Sequence, residues 1–190
     1  MADFNDVLNG VCKALTIIFA RGTTESGNVG ESVGPFFISA IQNELGAANV
    51  AAQGVSAPAY AADIPGFLQG GSPTGSVEMA QLVAQTVTQC PQTQIVLSGY
   101  SQGGQLVHNA AAMLTAKQIG AISSAVIFGD PDNGTAVANV PASKTLVVCH
   151  PTDNICQHGD LILPAHLDYE MDVPNAAKFV ANAATIASTK

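Results

Sequence analysis

The stretch from Gln94 to Ala116 restricts the fold more than any other. Gln94–Ser98 (Q-I-V-L-S) is a short apolar run that reads as a strand, and Gln102–Ala116 is alanine-rich and reads as a helix. Between them stands Gly99-Tyr100-Ser101-Gln102-Gly103, a G-x-S-x-G pattern. A strand that turns into a helix this abruptly forces the apical residue into a strained backbone conformation with its side chain outward. Glycines on both sides remove the Cβ atoms that would strike the neighbouring strand and helix. The Ser101 hydroxyl is then exposed, and the Gln102 backbone N–H lies at a helix N-terminus, where the dipole favours an anion. A strand-to-helix turn without chemistry is the plain alternative.

The remainder of the chain supplies a context for such an elbow. Leu15–Ala20 (L-T-I-I-F-A) reads as a buried strand and Glu31–Leu45 as a helix whose start is delayed by Gly34 and Pro35. Asn49–Ala57 holds a weaker strand, and Ala61–Gly75 is a glycine- and proline-rich loop. Ser76–Gln89 reads as a helix capped by Ser76. Ile122–Phe128 and Thr145–Cys149 are further strands, and Ala176–Ala187 is a last helix after Pro174. Strands apolar on both faces, alternating with helices, predict one three-layer α/β domain over residues 1–190. Its central, mainly parallel sheet has about five strands with helices on both faces. Residues 1–11 are expected to form a flexible N-terminal extension. A site on such a sheet belongs beyond the carboxyl ends of the strands.

Composition removes several classes of function. There are 6 Lys+Arg against 14 Asp+Glu, and this acidic balance, without a basic cluster, excludes nucleic acid as a partner. The longest strongly apolar run, Ala14–Ala20, is far shorter than the roughly 20 residues of a membrane span. The opening Met1–Asp6 has neither a basic nor an apolar signal region, which fits a cytosolic chain or a mature chain whose leader has been removed.

The four cysteines favour the second option. Three pairings are open in principle, and the spacings do not suit zinc. The short turn-like segment between Cys149 and Cys156 suggests a bridge, which leaves Cys12 for Cys90; four reduced, buried thiols are the alternative. Disulfides imply an oxidising, extracellular location, and the sequon at Asn133 fits it weakly.

A serine at an elbow needs a base and an orienting acid, in the chain order Ser, Asp or Glu, His. His108 lies seven residues beyond Ser101 on the same predicted helix, about 10 Å along its axis, and cannot reach the hydroxyl. Of His150, His158 and His166, the last stands in an apolar irregular stretch, Leu163–Leu167, suited to holding a neutral imidazole. Asp153 follows the strand ending at Cys149 and lies within the proposed small loop, a rigid holder for an orienting carboxylate. Asp130 and Asp132 are its competitors, with a solvated turn around Pro131 as their plain reading.

Four motifs together carry a resemblance. G-Y-S-Q-G-G at Gly99–Gly104, R-G-T-T-E-S-G at Arg21–Gly27, C-H-P-T-D-N-I-C at Cys149–Cys156 and A-H-L at Ala165–Leu167 resemble the cutinase family of secreted fungal serine esterases, in family order. The resemblance runs from about Cys12 to the last helix and implies an α/β-hydrolase-type fold, and 190 residues leave little chain over for a large lid. It implies Ser101 as nucleophile, Asp153 as orienting acid and His166 as general base, with Cys12–Cys90 and Cys149–Cys156 bridges. It adds Thr23, where the family often has serine, as a second oxyanion donor beside Gln102; the plain reading of Arg21–Gly27 is a loop anchored by Arg21. Phe67, Leu68, Leu161, Ile162 and Leu163 fall near the family's apolar flaps, where they would form a groove for acyl chains and an insoluble polyester or lipid-ester surface. No cofactor or metal is implied, and a monomer is expected. An acetylxylan esterase of the same fold, and a catalytically silent surface-binding module, are the alternatives.

Overall fold

The structure, a computed structural model, describes residues 3–186. Five strands form one sheet in the order β2-β1-β3-β4-β5, with every pairing parallel. The strands are β1 (Leu15–Ala20), β2 (Val50–Gly54), β3 (Gln94–Tyr100), β4 (Ile122–Phe128) and β5 (Thr145–Val148). The helices are α1 (Gly34–Leu45), α2 (Ile64–Leu68), α3 (Pro73–Gln89), α4 (Gln102–Met113), α5 (Ala116–Ala121) and α6 (Val173–Ala183).

The two-residue period of the strands divides the interior into two cores. On one face Leu15, Ile17, Phe19, Val96 and Phe128 meet Phe37 and Ile41 of α1 and Val180 of α6. On the other, Ile18, Leu97, Ala125 and Ile127 meet Met79 and Val83 of α3 and Leu106 and Ala110 of α4. Each fully buried Ile or Phe contributes about 1.5–3 kcal/mol. Because all strands run the same way, their carboxyl ends share one rim of the sheet.

Several boundaries differ from the sequence reading for local reasons. Helix α3 is capped by Ser72, whose hydroxyl accepts from the Gly75 N–H at 3.1 Å, rather than by Ser76. Pro73 sits in the first turn, where its missing N–H costs nothing. The predicted helix over Gln102–Ala116 stops at Met113, because Thr115 and Gln118 form a capping box that starts α5. The loop over Ala61–Gly75 contains α2, capped by the Asp63 carboxylate on the Gly66 N–H. Helix α6 spans Val173–Ala183, and Ala187, its expected end, lies outside the described residues.

Residues 3–11, within the extension expected from sequence, pack against the edge of the sheet. Asn5 bridges Gln53 in antiparallel fashion, and the Asp6 N–H donates to the Ala52 carbonyl at 3.1 Å. The Asp6 carboxylate accepts the Ala52 N–H, and Val7 is buried in the core. The segment covers the outer edge of β2, where unpaired backbone groups would otherwise face solvent. Disulfides join Cys12 to Cys90 and Cys149 to Cys156, as the sequence reading paired them.

Candidate active site

At the end of β3 the chain turns into α4 through Ser101, which has φ 55° and ψ −122°. Such a conformation costs a non-glycine residue of order 1–3 kcal/mol and persists only where its surroundings enforce it. Here the Ser101 N–H donates to Phe128 O at 2.9 Å, and its carbonyl accepts the Gly104 N–H at 2.8 Å. A Cβ at Gly103 would collide with the Ala20 carbonyl, and one at Gly99 with the backbone of Gly103.

His166 lies in a short 3₁₀ turn (Pro164–His166) and directs Nε2 to Ser101 Oγ at 2.9 Å. Its Nδ1 meets Asp153 Oδ2 at 2.8 Å. All three residues are buried. Asp153 receives two further bonds, from the Tyr169 hydroxyl at 2.6 Å and the Ile155 N–H at 2.9 Å. Burial alone would raise its pKa; the bonds from Tyr169 and His166, with the positive imidazole and the Ile155 N–H, outweigh burial and hold the carboxyl below the usual carboxylate range. The Tyr100 ring stacks on the imidazole at 5.2 Å, and its hydroxyl donates to the His166 carbonyl at 2.8 Å. Gly129, with φ 58°, lets the backbone pass beside the imidazole; a Cβ there would stand 2.8 Å from His166 Cε1.

The competing acids point elsewhere. Asp130 pairs with His108 at 2.9 Å on the α4 side of the sheet, and Asp132 N–H donates to the Asp130 carboxylate. His158 bonds the Pro131 carbonyl, and His150 bonds Ala165 O and Asp172.

The loop after β1 brings Thr23 to the same place. The Gln102 side-chain amide donates to Thr23 Oγ1 at 2.9 Å and to the Asp63 carbonyl at 2.8 Å. The Thr23 hydroxyl therefore accepts from Gln102 and keeps its own proton to donate elsewhere. Among the described residues, neither the Thr23 nor the Gln102 backbone N–H donates to a protein acceptor. Arg21 does anchor this loop: it is buried and donates to the carbonyls of Glu25, Val55, Tyr60 and Ala61. Glu25 completes the hold by accepting the N–H groups of Gly22, Glu31 and Ser32.

A cleft of about 540 Å³ opens over Ser101 and His166. Phe67, Leu68 and Ile162 line it as the sequence reading placed them, whereas Leu161 and Leu163 are exposed on the flanking loop without lining it. Ile64 and Leu167 also line it and were missed. Their signal was present as apolar residues in loops, Ile64 beside Pro65 and Leu167 beside His166. Sequence reasoning also missed Tyr169, Tyr100 and the Gln102 side chain, which act through tertiary contacts that no local pattern reveals.

The parallel sheet with helices on both faces, and a serine at a strained strand-to-helix turn, define an α/β hydrolase. The cutinase family model matches residues 11–184, and the chain belongs to the cutinase family, whose members are carboxylic ester hydrolases. It is 57% identical over 173 residues to the cutinase of Botryotinia fuckeliana, covering 91% of this chain and 84% of that one. The structure is similar to the Trichoderma reesei cutinase bound to a C11Y4 phosphonate inhibitor, with TM-score 0.87, 46% identity, and coverage of 92% of this chain and 78% of that one. An acetylxylan esterase shares the fold at TM-score 0.72 and 22% identity, over 90% of this chain and 99% of that one.

Proposed function

We propose that Ser101, His166 and Asp153 form the catalytic triad of a secreted esterase acting on cutin-like and other aliphatic polyesters and on short to medium acyl esters. Ser101 Oγ attacks the ester carbonyl while His166 Nε2 takes its proton, and Asp153 stabilises the imidazolium. The Thr23 and Gln102 N–H groups, with the Thr23 hydroxyl, receive the oxyanion. The imidazolium then protonates the leaving alcohol, and water hydrolyses the acyl-enzyme by the same relay. The observation that carries this reading is the unbroken series of contacts, 2.9 Å from serine to imidazole and 2.8 Å from imidazole to carboxylate, at the floor of an apolar cleft.

The exposed rim supports an insoluble substrate. Leu68, Leu161, Ile162 and Leu167 are each more than half exposed around the mouth, an arrangement suited to an apolar surface. Two disulfides support secretion. The monomer expected from sequence suits an enzyme that works alone at such a surface.

An organophosphate titration tests the reading. One equivalent is expected on Ser101, and Ser101→Ala is expected to lower kcat by about 10⁴–10⁶ with an unchanged melting temperature. A p-nitrophenyl ester series should retain activity on butyrate and longer chains. Activity confined to acetate would instead favour an acetyl esterase, and no labelling would favour a silent binding module.

A further inference from the structure

His166 is carried by irregular chain. The 3₁₀ turn over Pro164–His166 is followed by a second over Tyr169–Asp172, and neither belongs to the sheet. Such a segment must be held from outside, and one side chain reaches both turns. His150, just beyond β5, places Nδ1 2.7 Å from the Ala165 carbonyl and Nε2 2.8 Å from Asp172 Oδ2. Ala165 is the residue immediately before His166. The His150 ring also stacks on Tyr169 at 4.2 Å with planes 17° apart, and its backbone N–H donates to the Tyr169 hydroxyl that in turn donates to Asp153.

Both partners of the ring, a carbonyl and a carboxylate, can only accept. A neutral imidazole has a single N–H, so only the imidazolium makes both bonds. The geometry points to His150 as a positioning residue that, in its protonated form, clamps the two turns and thereby places His166. This rests on the reading of His166 as general base. Catalysis then needs two histidines in opposite states, His166 neutral and His150 charged, and the rate acquires a limit on each side of its optimum.

The surroundings favour the charge on His150. Burial would lower its pKa, but the bond to the Ala165 carbonyl, the bond to Asp172 and the negative charges of Asp172 and Asp153 outweigh burial and raise it above the ordinary histidine range. Tyr169 and Tyr100, the other titratable groups packed against this region, are held neutral, since burial pushes both hydroxyls far above the ordinary phenol range. As pH rises through the raised His150 pKa, one ring proton leaves and one of the two bonds is lost. The alkaline fall in rate is therefore assigned to His150 and not to a phenol.

The test is kcat and kcat/KM on soluble p-nitrophenyl butyrate from about pH 5 to about pH 10, corrected for spontaneous hydrolysis. The wild type should rise with pH and then fall several-fold. His150→Gln supplies a single amide NH2 group that does not titrate and faces only one of the two acceptors, so its alkaline fall should vanish and its rate should stay near the wild type's alkaline value. Asp172→Asn turns an acceptor-only partner into an amide that can donate to an unprotonated Nε2, so both bonds survive loss of the ring proton and the alkaline fall should shrink. An alkaline fall that persists in His150→Gln, or is undiminished in Asp172→Asn, overturns the clamp. Imidazole nitrogen NMR of the wild type supplies a check that needs no variant: both His150 nitrogens should carry protons near pH 7, and a single protonated nitrogen overturns the proposal. Organophosphate labelling of each protein separates the two levels. If Ser101 is not labelled in the wild type, the esterase reading itself fails; if labelling is intact while the fall persists, the clamp alone fails.

Discussion

Two regions meet over the cleft, and they are built by different means. The end of β3, with Ser101 and Gln102, is fixed by backbone sterics: a glycine-flanked elbow against the Ala20 carbonyl, at the centre of a sheet buried on both faces. The loop after β1 joins Thr23 to it through buried Arg21. The segment from Cys149 to Asp172, which brings Asp153 and His166, contains no strand and only short 3₁₀ turns. A seven-residue disulfide separation and bonds among Tyr169, Asp153, His150 and Asp172 hold it. Ser101 is thus positioned by the fold, whereas Asp153 and His166 are positioned by side chains. Titration and loss of the Cys149–Cys156 bridge should act on the second region and leave the first intact.

After Ser101→Ala, the largest effect expected in the rigid region comes from Thr23→Val, which keeps the β-branch and removes the hydroxyl. Loss of one oxyanion donor should lower kcat by about 10²–10³ with little change in KM, read from steady-state kinetics. A loss confined to KM would place Thr23 in binding alone. In the second region, Tyr169→Phe deletes a bond that keeps Asp153 ionised. It should lower kcat about tenfold, on the order of one hydrogen bond to a charged group. A depressed carboxylate contributes stability above its unfolded pKa and loses it as pH falls through the folded value. Tyr169→Phe raises the folded value towards the unfolded one, so its melting temperature should differ most from wild type at neutral pH, and the two should converge in strong acid.

The smallest effect on turnover separates the regions most directly. The Cys12–Cys90 bridge spans 78 residues and Cys149–Cys156 spans 7, so chain entropy assigns about 4.5 kcal/mol to the first and about 2.5 kcal/mol to the second. Serine replacements of Cys12 and Cys90 should therefore lower the melting temperature more, while those of Cys149 and Cys156 should lower kcat more, by several-fold. Equal losses of kcat would erase the distinction between the regions.

The same division governs what could be read from the chain. β1 and β4 end where their apolar, β-branched runs end, because burial on both faces leaves its mark on every residue. Ser101 was legible because the elbow imposes glycines at fixed offsets. Asp153 and His166 were singled out from chain order, position past a strand and family motifs, since no periodicity marks them. Pro73 and Gly75 were read as loop residues although they form the first turn of α3, and Thr115 interrupts a helix that composition alone would continue. Leu161 and Leu163 share an apolar run with Ile162, yet only Ile162 lines the cleft. Which side chains of an irregular loop face inward is decided by tertiary contacts, and hydrophobicity by itself does not record it.

The pairing of Asn5 and Asp6 with β2 has a practical corollary for anyone who produces this enzyme. A chain trimmed past Val7 would leave a ready template for sheet-to-sheet association between molecules and would uncover the core that Val7 closes. Affinity tags and fusion partners therefore belong at the opposite terminus, and recombinant versions that begin downstream should be judged first by whether they stay in solution at high concentration.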